Sequence, residues 1–541
     1  MHDIASPAAR ATAPCVLHED EQLLVVLKPA GWNTHAPAPF AGEGIYEWLR
    51  DREPRWAGLA IVHRLDRDTS GVMVFAKTPL ASRSLTAQFA AREVHKRYLL
   101  LTDRAAPAGE LRVDAALARA GDRQIVQPAG RGGESAITVF RPAGAMDGPG
   151  GRPYAAVMAE PVTGRTHQVR VHAAASGFPV LGDALYGGGP APRLCLHAQS
   201  LTLRHPASGE PVGFESPADF PADRRAALRA AFIDPAATDA CRLLHGAADG
   251  QPGLYVERLG GFLLAQSQHE PSADERRLLA ALPADGRYHK RLDRQVRRLA
   301  AEDASPRHLD GGIAPERFTV RENGVRYELG FGEGYSTGLF LDQRDNRRRF
   351  LTGHVAAGFP LYAAGCTAPE VLNAFAYTCG FSVCAALGGA RVTSLDLSQR
   401  YLDWGRRNFI LNGLDPAAHD FIYGDAFDWF RRLARKGRRH DALVLDPPTF
   451  SQSKAQGRFR VEADYGRLVA AALPLLAPGG VLLACANTAR LPAEAFVATV
   501  REAVAAGGRR IEATHYAPQP PDFPVTRDEP AHLKTFWLRL G

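Results

Sequence analysis

Asp66 sits in HRLDRDTSG, residues 63–71, between Arg64 and Arg67. A carboxylate flanked by arginines would stay ionised beside a polyanion. The alternative is an Asx-turn residue with no chemistry. A second set of acids lies far downstream. Asp396 follows Gly380 by 16 residues, close to the spacing at which a carboxylate grips the ribose hydroxyls of a nucleotide-type cofactor. Asp425, in GDAF, suits an adenine contact. For both acids the alternative is a helix N-cap. Asp446 opens DPPTFSQSK, residues 446–454, and Pro447 and Pro448 directly after an apolar run are unusual as ordinary strand sequence. The seven cysteines, at 15, 195, 241, 366, 379, 384 and 485, form no C-x-x-C pair, which argues against a disulfide framework or a zinc site. His167 and His172 have no evident metal-ligand partner, so no metal is expected.

The elements around these residues follow from the spacing of apolar side chains. Apolar runs at 59–62 and 72–76 predict strand, tight turn, strand, with Asp66 on the turn. A strand at 23–27 leads into KPAGW, where Pro29 fixes φ and Gly31 permits a positive one. Residues 78–93 read as an amphipathic helix with Leu85 and Phe89 on one face, and 96–101 as a strand carrying Tyr98. RPAGAMDGPGGRP, 141–153, reads as an exposed loop. In GRTHQVRVH, alternation puts Val169 and Val171 on one face and Arg170 and His172 on the other. The Ala/Pro-rich stretch 217–240 reads as a semi-rigid helical linker. From 369 onward, strands at 371–376, 391–396, 421–423, 441–446 and 481–485 alternate with helices, one of them capped by Ser398 and stopped at Gly413. That alternation means a doubly wound parallel sheet, which binds ligands at the carboxyl ends of its strands.

A chain of 541 residues with 45% hydrophobic content implies three or four domains. It has no apolar run near the roughly 18 residues of a membrane span, and MHDIASPAARATAP lacks a signal-peptide core, so a cytoplasmic protein is expected. The net charge of +7 suits a nucleic-acid partner. The basic runs RDNRRR, 344–349, and RRLARKGRR, 431–439, read more naturally as solvated helix faces than as phosphate tracks.

HRLDRDTSG followed by VMVFAK resembles the signature of the RluA family of pseudouridine synthases. Lys96-Arg97-Tyr98 resembles that family's K-x-Y element, and GRTHQVRVHAAASGFPVLGDALYG, 164–187, its third motif. Three motifs in order over about 125 residues are far more specific than one. The resemblance covers about residues 17–217. It implies that Asp66 is the catalytic acid, that Tyr98 stacks on the uracil, that Arg165 pairs with Asp66, and that Arg64 fills the gap left by a flipped base. It implies no cofactor. The family's S4 RNA-binding module is expected to be absent.

NAFAYTCGFS, 373–382, resembles the cofactor motif N-x-F-x-Y-T-G-G-F-S of a family of bacterial large-subunit rRNA methyltransferases, and GEGYSTGLFLDQRDNRRRF, 332–350, resembles the segment that enters their fold. S-adenosylmethionine is then the implied cofactor, contacted by Asn373, Phe375, Tyr377, Thr378, Gly380, Asp396, Asp425, Asp446 and Pro447. Cys379 replaces a family glycine, and its β-carbon requires a negative φ. DPPTFSQSK resembles the acceptor-side element of nitrogen methyltransferases. Methylation at pyrimidine C5 needs a cysteine thiolate; methylation at nitrogen needs only a positioned lone pair. The 5-methylcytosine relatives carry that cysteine in the slot of Asn487, whereas Cys485 reads as a buried small hydrophobe.

The expected fold is multidomain α/β and α+β. It comprises a mixed-sheet pseudouridine synthase at 1–222, a small α+β domain at 239–330, and a Rossmann-like methyltransferase at 331–541. The expected function is a bifunctional enzyme that makes pseudouridine and methylates a guanine nitrogen, with rRNA, or alternatively tRNA, as partner. The alternatives are an inactive half that only binds RNA, a 5-methylcytosine product, and a small-molecule methyltransferase. The oligomeric state is left open.

Overall fold

A computed structural model describes residues 13–42, 44–127, 132–292, 304–334, 336–453 and 457–541. Residues 1–12 of the N-terminal stretch, Tyr335 of the entry segment and Lys454 of DPPTFSQSK lie outside the described residues.

The N-terminal half is built on a ten-stranded mixed sheet. Its centre joins Ser70–Ala76 in parallel to Leu196–Arg204, which pairs antiparallel with His95–Thr102. This junction brings the Asp66 turn beside the strand of Tyr98. It depends on Gly71, at φ +132°, because a β-carbon there would overlap the backbone of Ala198. The short strand Ala60–Ile61 pairs antiparallel with Ser70–Ala76, so Asp66 is on the turn that joins them. The helix Pro79–Ala90, N-capped by Thr78, buries Ala81 and Leu85 against that sheet.

Several elements differ from the sequence reading. The 141–153 stretch is mostly strand: Ile137–Asp147 pairs with Pro153–Pro161 around a turn at Pro149–Gly151. Pro142 sits next to a register shift, where its missing N–H costs no ladder bond. GRTHQVRVH is not a strand. It turns at His167, φ +56°, into the helix Gln168–Ala175. Val169 and Ala173 are then four apart on the face packed against the sheet. A short valine–polar alternation satisfies helical and strand periods alike.

The 217–240 connector, read as a semi-rigid helical linker, does carry a helix, and that helix is packed rather than free-standing. Its helix Arg224–Phe232 packs Leu228 and Phe232 on the synthase core, with the Phe232 ring 4.3 Å from Trp32. Arg229 is buried and reaches Asp249 and the carbonyls of Arg242 and Asp522.

A five-stranded sheet from Ala240–His245 to Arg307–Gly311 follows, with a helix Ala273–Ala281 closed by a Ser272–Glu275 capping box. The hairpin Phe318–Glu322 and Val325–Leu329 places Val320, Tyr327 and Leu329 in one core with Phe350, Phe381 and Trp537.

The C-terminal sheet has seven strands. Their order is Asp420–Tyr423, Arg391–Asp396, Glu370–Ala374, His440–Leu445, Leu476–Asn487, Leu533–Leu540, Ile511–Ala517. The first five are parallel; Leu533–Leu540 runs antiparallel to its two neighbours, so Ile511–Ala517 again shares the direction of the first five. Strand order reverses beside Glu370–Ala374, which creates the crevice where such sheets bind ligands.

The RDNRRR run is not a solvated face. In the helix Arg344–Thr352, Arg344, Arg347 and Arg348 are buried. Arg344 pairs with Asp522 at 2.6 Å, Arg347 with Glu322 at 2.6 Å, and Arg348 with Glu53 of the synthase half. Arg348 also donates to the Arg52 carbonyl at 2.7 Å. Planar guanidinium forks tolerate burial when each meets a carboxylate, and these do. Among the described residues, no helix is long and apolar enough to cross a membrane, and no cluster of three or more His, Cys, Asp or Glu could hold a metal.

Candidate active sites

The synthase-side cleft, about 530 Å3, is lined by Arg64, Asp66, Tyr98, Arg165, His167 and Arg170 among others. Asp66 stands 26% exposed in its side chain, 3.5 Å from Arg170 Nη1 and 3.9 Å from His167 Nε2. The turn beneath it is held by Lys28. This buried ammonium donates to the carbonyls of Pro29, Trp32 and Arg67 at 3.0, 2.6 and 2.9 Å. Burial pushes the Lys28 pKa down to about 7. Thr34 Oγ1 adds a bond to the Leu65 carbonyl at 2.9 Å. KPAGW therefore supports the Asp66 turn from behind, a role its own sequence does not announce.

The pairing implied for Arg165 is made by Arg170 instead. Arg165 bonds the Ser135 carbonyl at 3.2 Å and Glu134 at 3.3 Å. Arg170 is fixed by a bidentate pair with buried Asp183, at 2.7 and 2.8 Å, and presents its remaining Nη1 to Asp66. The physical reason is the helix. Its first turn carries Arg170 toward the Asp66 turn and leaves Arg165 upstream, at the rim. Gln168 sets that turn by accepting from the Arg165 N–H at 3.0 Å and donating to the Ile137 carbonyl at 2.9 Å. Arg170 and Asp183 both lie inside the third motif. The signal for them was the LGDALYG stretch, whose acid needed a cation. His167 bonds the Tyr186 hydroxyl at 2.8 Å. Tyr98 lines the cleft, and burial together with the Asp66 charge pushes its phenol above the usual range. Arg64 is exposed at the cleft rim.

A second cleft, about 880 Å3, opens at the carboxyl ends of the C-terminal strands. It brings together Phe375, Tyr377, Thr378, Gly380, Asp396, Asp425, Asp446 and Pro447, along with Asp342, Gln343 and Asn487. Asn373 is not on its wall. It is buried and donates to Ser382 Oγ at 2.8 Å, tying the strand to the following helix.

The turn after the first strand holds three non-glycine residues at positive φ: Phe375 (+61°), Tyr377 (+49°) and Cys379 (+64°). The negative φ that Cys379 was expected to need is not adopted. Its side chain fits because Gly405 faces it; a β-carbon on Gly405 would overlap the Cys379 sulfur. Such a left-handed residue costs on the order of 1 kcal/mol, and strain of this kind persists where the surroundings over-determine the backbone. Asp396 fixes the turn by accepting from the N–H groups of Tyr377 and Ser398, each at 2.8 Å. Each carboxylate oxygen has a second lone pair for a ribose hydroxyl. Asp425 caps the helix Ala426–Arg435 and also borders the cleft.

At the far end Asp446 is half-buried on the cleft wall. Burial and the neighbouring Asp342 carboxylate push its pKa up to about 7, against a bond from Gln343 Nε2 at 3.0 Å. Asp342 in turn lies 3.2 Å from His532 Nε2 and 3.5 Å from Asn487 Nδ2. Asp342 and Gln343, from the FLDQR stretch, are site residues that sequence reasoning missed. Cys485 is fully buried and off the cleft wall, and burial pushes its thiol far above the usual range.

The cleft has the size and the polar points of a small-molecule cofactor site. The ribose-type acid at Asp396, the cap at Asp425 and the strained turn at the helix start fit S-adenosylmethionine.

Comparison with known proteins agrees with both halves. Residues 22–175 match the family model of RNA pseudouridylate synthases, and residues 242–539 that of S-adenosylmethionine-dependent methyltransferases. A ribosomal RNA large subunit methyltransferase of Deinococcus radiodurans is 35% identical over 324 residues, 59% of this chain and 76% of the relative. Ribosomal RNA large subunit methyltransferase I of Klebsiella pneumoniae is 33% identical over 315 residues, 56% of this chain and 74% of the relative. The structure of human RNA pseudouridylate synthase domain containing 1 aligns with 38% of this chain and 85% of its own, at 26% identity and a TM-score of 0.33. The chain thus belongs to the S-adenosylmethionine-dependent methyltransferase family and carries an RNA pseudouridylate synthase domain on the N-terminal side of it.

Proposed function

We propose that this enzyme isomerises a uridine to pseudouridine and methylates a guanine nitrogen, both in large-subunit ribosomal RNA, in the cytoplasm. The names of the relatives support the choice of RNA. We also propose the division into units at 1–222, 239–330 and 331–541, which the separate sheets support.

In the synthase cleft, Asp66 is the acceptor and stabiliser at the sugar, oriented by Arg170. Tyr98 stacks on the uracil. Arg64 reaches into the space the flipped base leaves, and Arg165 holds RNA at the rim. In the methyltransferase cleft, Asp396 and Asp425 seat the cofactor, S-adenosylmethionine, which supplies the methyl group. Asp446, with the carbonyls stiffened by Pro447 and Pro448, holds the acceptor nitrogen, and Asn487 lies beside it.

The observation that carries the nitrogen assignment is the thiol inventory of that cleft. Covalent addition to a pyrimidine needs an exposed thiolate, and Cys485 is buried in an apolar strand. Mass spectrometry of rRNA and tRNA nucleosides from cells lacking the gene tests the reading. The expected result is loss of one pseudouridine and one methylguanine from 23S rRNA. Loss of 5-methylcytosine with methylguanine intact would overturn the nitrogen assignment, and losses confined to tRNA would overturn the choice of RNA.

A further inference from the structure

A third cleft, about 600 Å3, lies between the two catalytic units and belongs to neither. Residues from 36–42 and 44–52 of the synthase half form one wall; the helix Arg344–Thr352 and residues from 514–519 form the other. Four arginines face it: Arg50, Arg52, Arg348 and Arg349. The carboxylates around it are already engaged. Asp51 takes Arg50 at 2.9 Å and the Ala357 N–H at 3.2 Å. Glu53 takes Arg348, Glu47 accepts from the Ala36 N–H at 2.8 Å, and Asp345 lies 3.7 Å from Arg344.

Two cations are left over. Arg52 stacks over the Trp48 ring at 4.7 Å, and its Nε is buried without a hydrogen-bond partner. Arg349 donates only to neutral groups: the Val355 carbonyl at 2.8 Å, Asn346 at 3.4 Å and His515 at 3.4 Å. His515 brings no charge, because burial and Arg349 push its pKa down to about 3. Among the described residues neither guanidinium has a carboxylate within ion-pair distance. Burial lowers the pKa of both, Arg52 to about 9 with Arg348 adding to it, while Asp345 pulls each the other way across a longer distance. Both arginines are half-buried, and a partly desolvated cation with no carboxylate in ion-pair distance favours an anion beside it.

We propose that this cleft seats a backbone phosphate of the RNA substrate, held between Arg52 from the synthase half and Arg349 from the methyltransferase half. The assignment rests on RNA being the substrate. Arginine forks match phosphate oxygens, and Trp48 and Tyr516 on the same walls offer faces for adjoining bases. A phosphate held from both walls makes the docked arrangement of the two halves part of the RNA site.

The test uses the full chain, naked 23S rRNA and the variants Arg52→Gln, Arg349→Gln and Arg52→Lys. Each glutamine variant is expected to weaken RNA binding about tenfold and to lower the slope of log affinity against log salt by about 1. Arg52→Lys should recover part of the affinity. Calorimetric binding of S-adenosylmethionine verifies that each variant is folded. If the folded glutamine variants bind RNA with wild-type affinity and salt slope, the site assignment falls while the function stands. If the wild type binds no RNA, the functional reading falls first and takes the site with it. Inorganic phosphate supplies the other arm. Should it raise the wild-type melting temperature but not that of Arg52→Gln, with RNA binding unaltered, the cleft holds a free anion and the proposal is overturned. Competition between phosphate and RNA would support it.

Discussion

The two halves of this molecule each place a carboxylate at the working end of a cleft, and they treat it in opposite ways. Asp66 is part-exposed and faces one cation, Arg170, and the His167 ring. Asp446 is half-buried too, but faces another acid, Asp342, with an amide from Gln343. The first environment sets an arginine beside the carboxylate and orients it. The second raises the pKa into the neutral range, so a modest change in surroundings decides whether the group carries a proton. Similar functional groups are thus tuned for unlike tasks by what each fold packs around them.

Separating the two acids by substitution is the strongest way to break this contrast. Asp66→Asn is expected to lower pseudouridine formation by at least about 10³-fold, read by tritium release from 5-tritiated uridine in RNA, with methyl transfer intact. Asp446→Ala should do the reverse, lowering methyl transfer about 10²-fold. In the same assay Cys485→Ala should keep methyl transfer. A covalent complex of the enzyme with 5-fluorocytosine RNA through Cys485 would reverse the chemistry assigned to that cleft.

The cation facing Asp66 gives a sharper comparison. Arg170→Leu removes the charge from Asp66 and strands buried Asp183, so pseudouridine kcat should fall about 10²-fold. Arg165→Leu should chiefly raise KM. Equal losses in kcat for the two variants would show that the ion pair with Arg170 carries no special role.

On the cofactor side, Asp396→Ala should weaken S-adenosylmethionine binding about tenfold by calorimetry and leave pseudouridine formation unchanged. The smallest effect expected is a pH shift. With Asp446 near 7, methyl transfer should rise with pH through an inflection close to neutrality, as the carboxylate form accumulates. The sign follows from the cause: Asp342 repels the ionised form, so Asp342→Asn should move the inflection to lower pH. An inflection that stays in place would mean that another group titrates.

Local patterns made much of this legible from the chain alone. The alternating strands and helices after 369 appear in the structure where the apolar runs placed them, and the Asp66 turn lies between its two short apolar strands. What was not legible depended on partners distant in sequence. The buried arginine helix needs Glu322, Asp522 and Glu53, which lie 25, 178 and 295 residues from the arginines they meet. No window of neighbouring residues contains that information. Arg170 was missed for a different reason. Four residues of valine–polar alternation do not distinguish a strand from a helix, and that choice decides which arginine reaches Asp66.

The arginine helix also has a consequence for how the enzyme can be taken apart. Gln343, just ahead of it, touches Asp446, while Arg348 and its neighbours grip residues 51–53 of the other half. Cut between 217 and 240, the chain would yield two fragments with complementary faces, one offering Arg348 and the other Glu53 and Asp51. Made as separate chains, they should reassemble in trans, tightly at low salt and poorly at high salt. Co-purification of a tagged synthase fragment with an untagged methyltransferase fragment, across a salt series, would show whether the peptide link is needed at all once the faces have met.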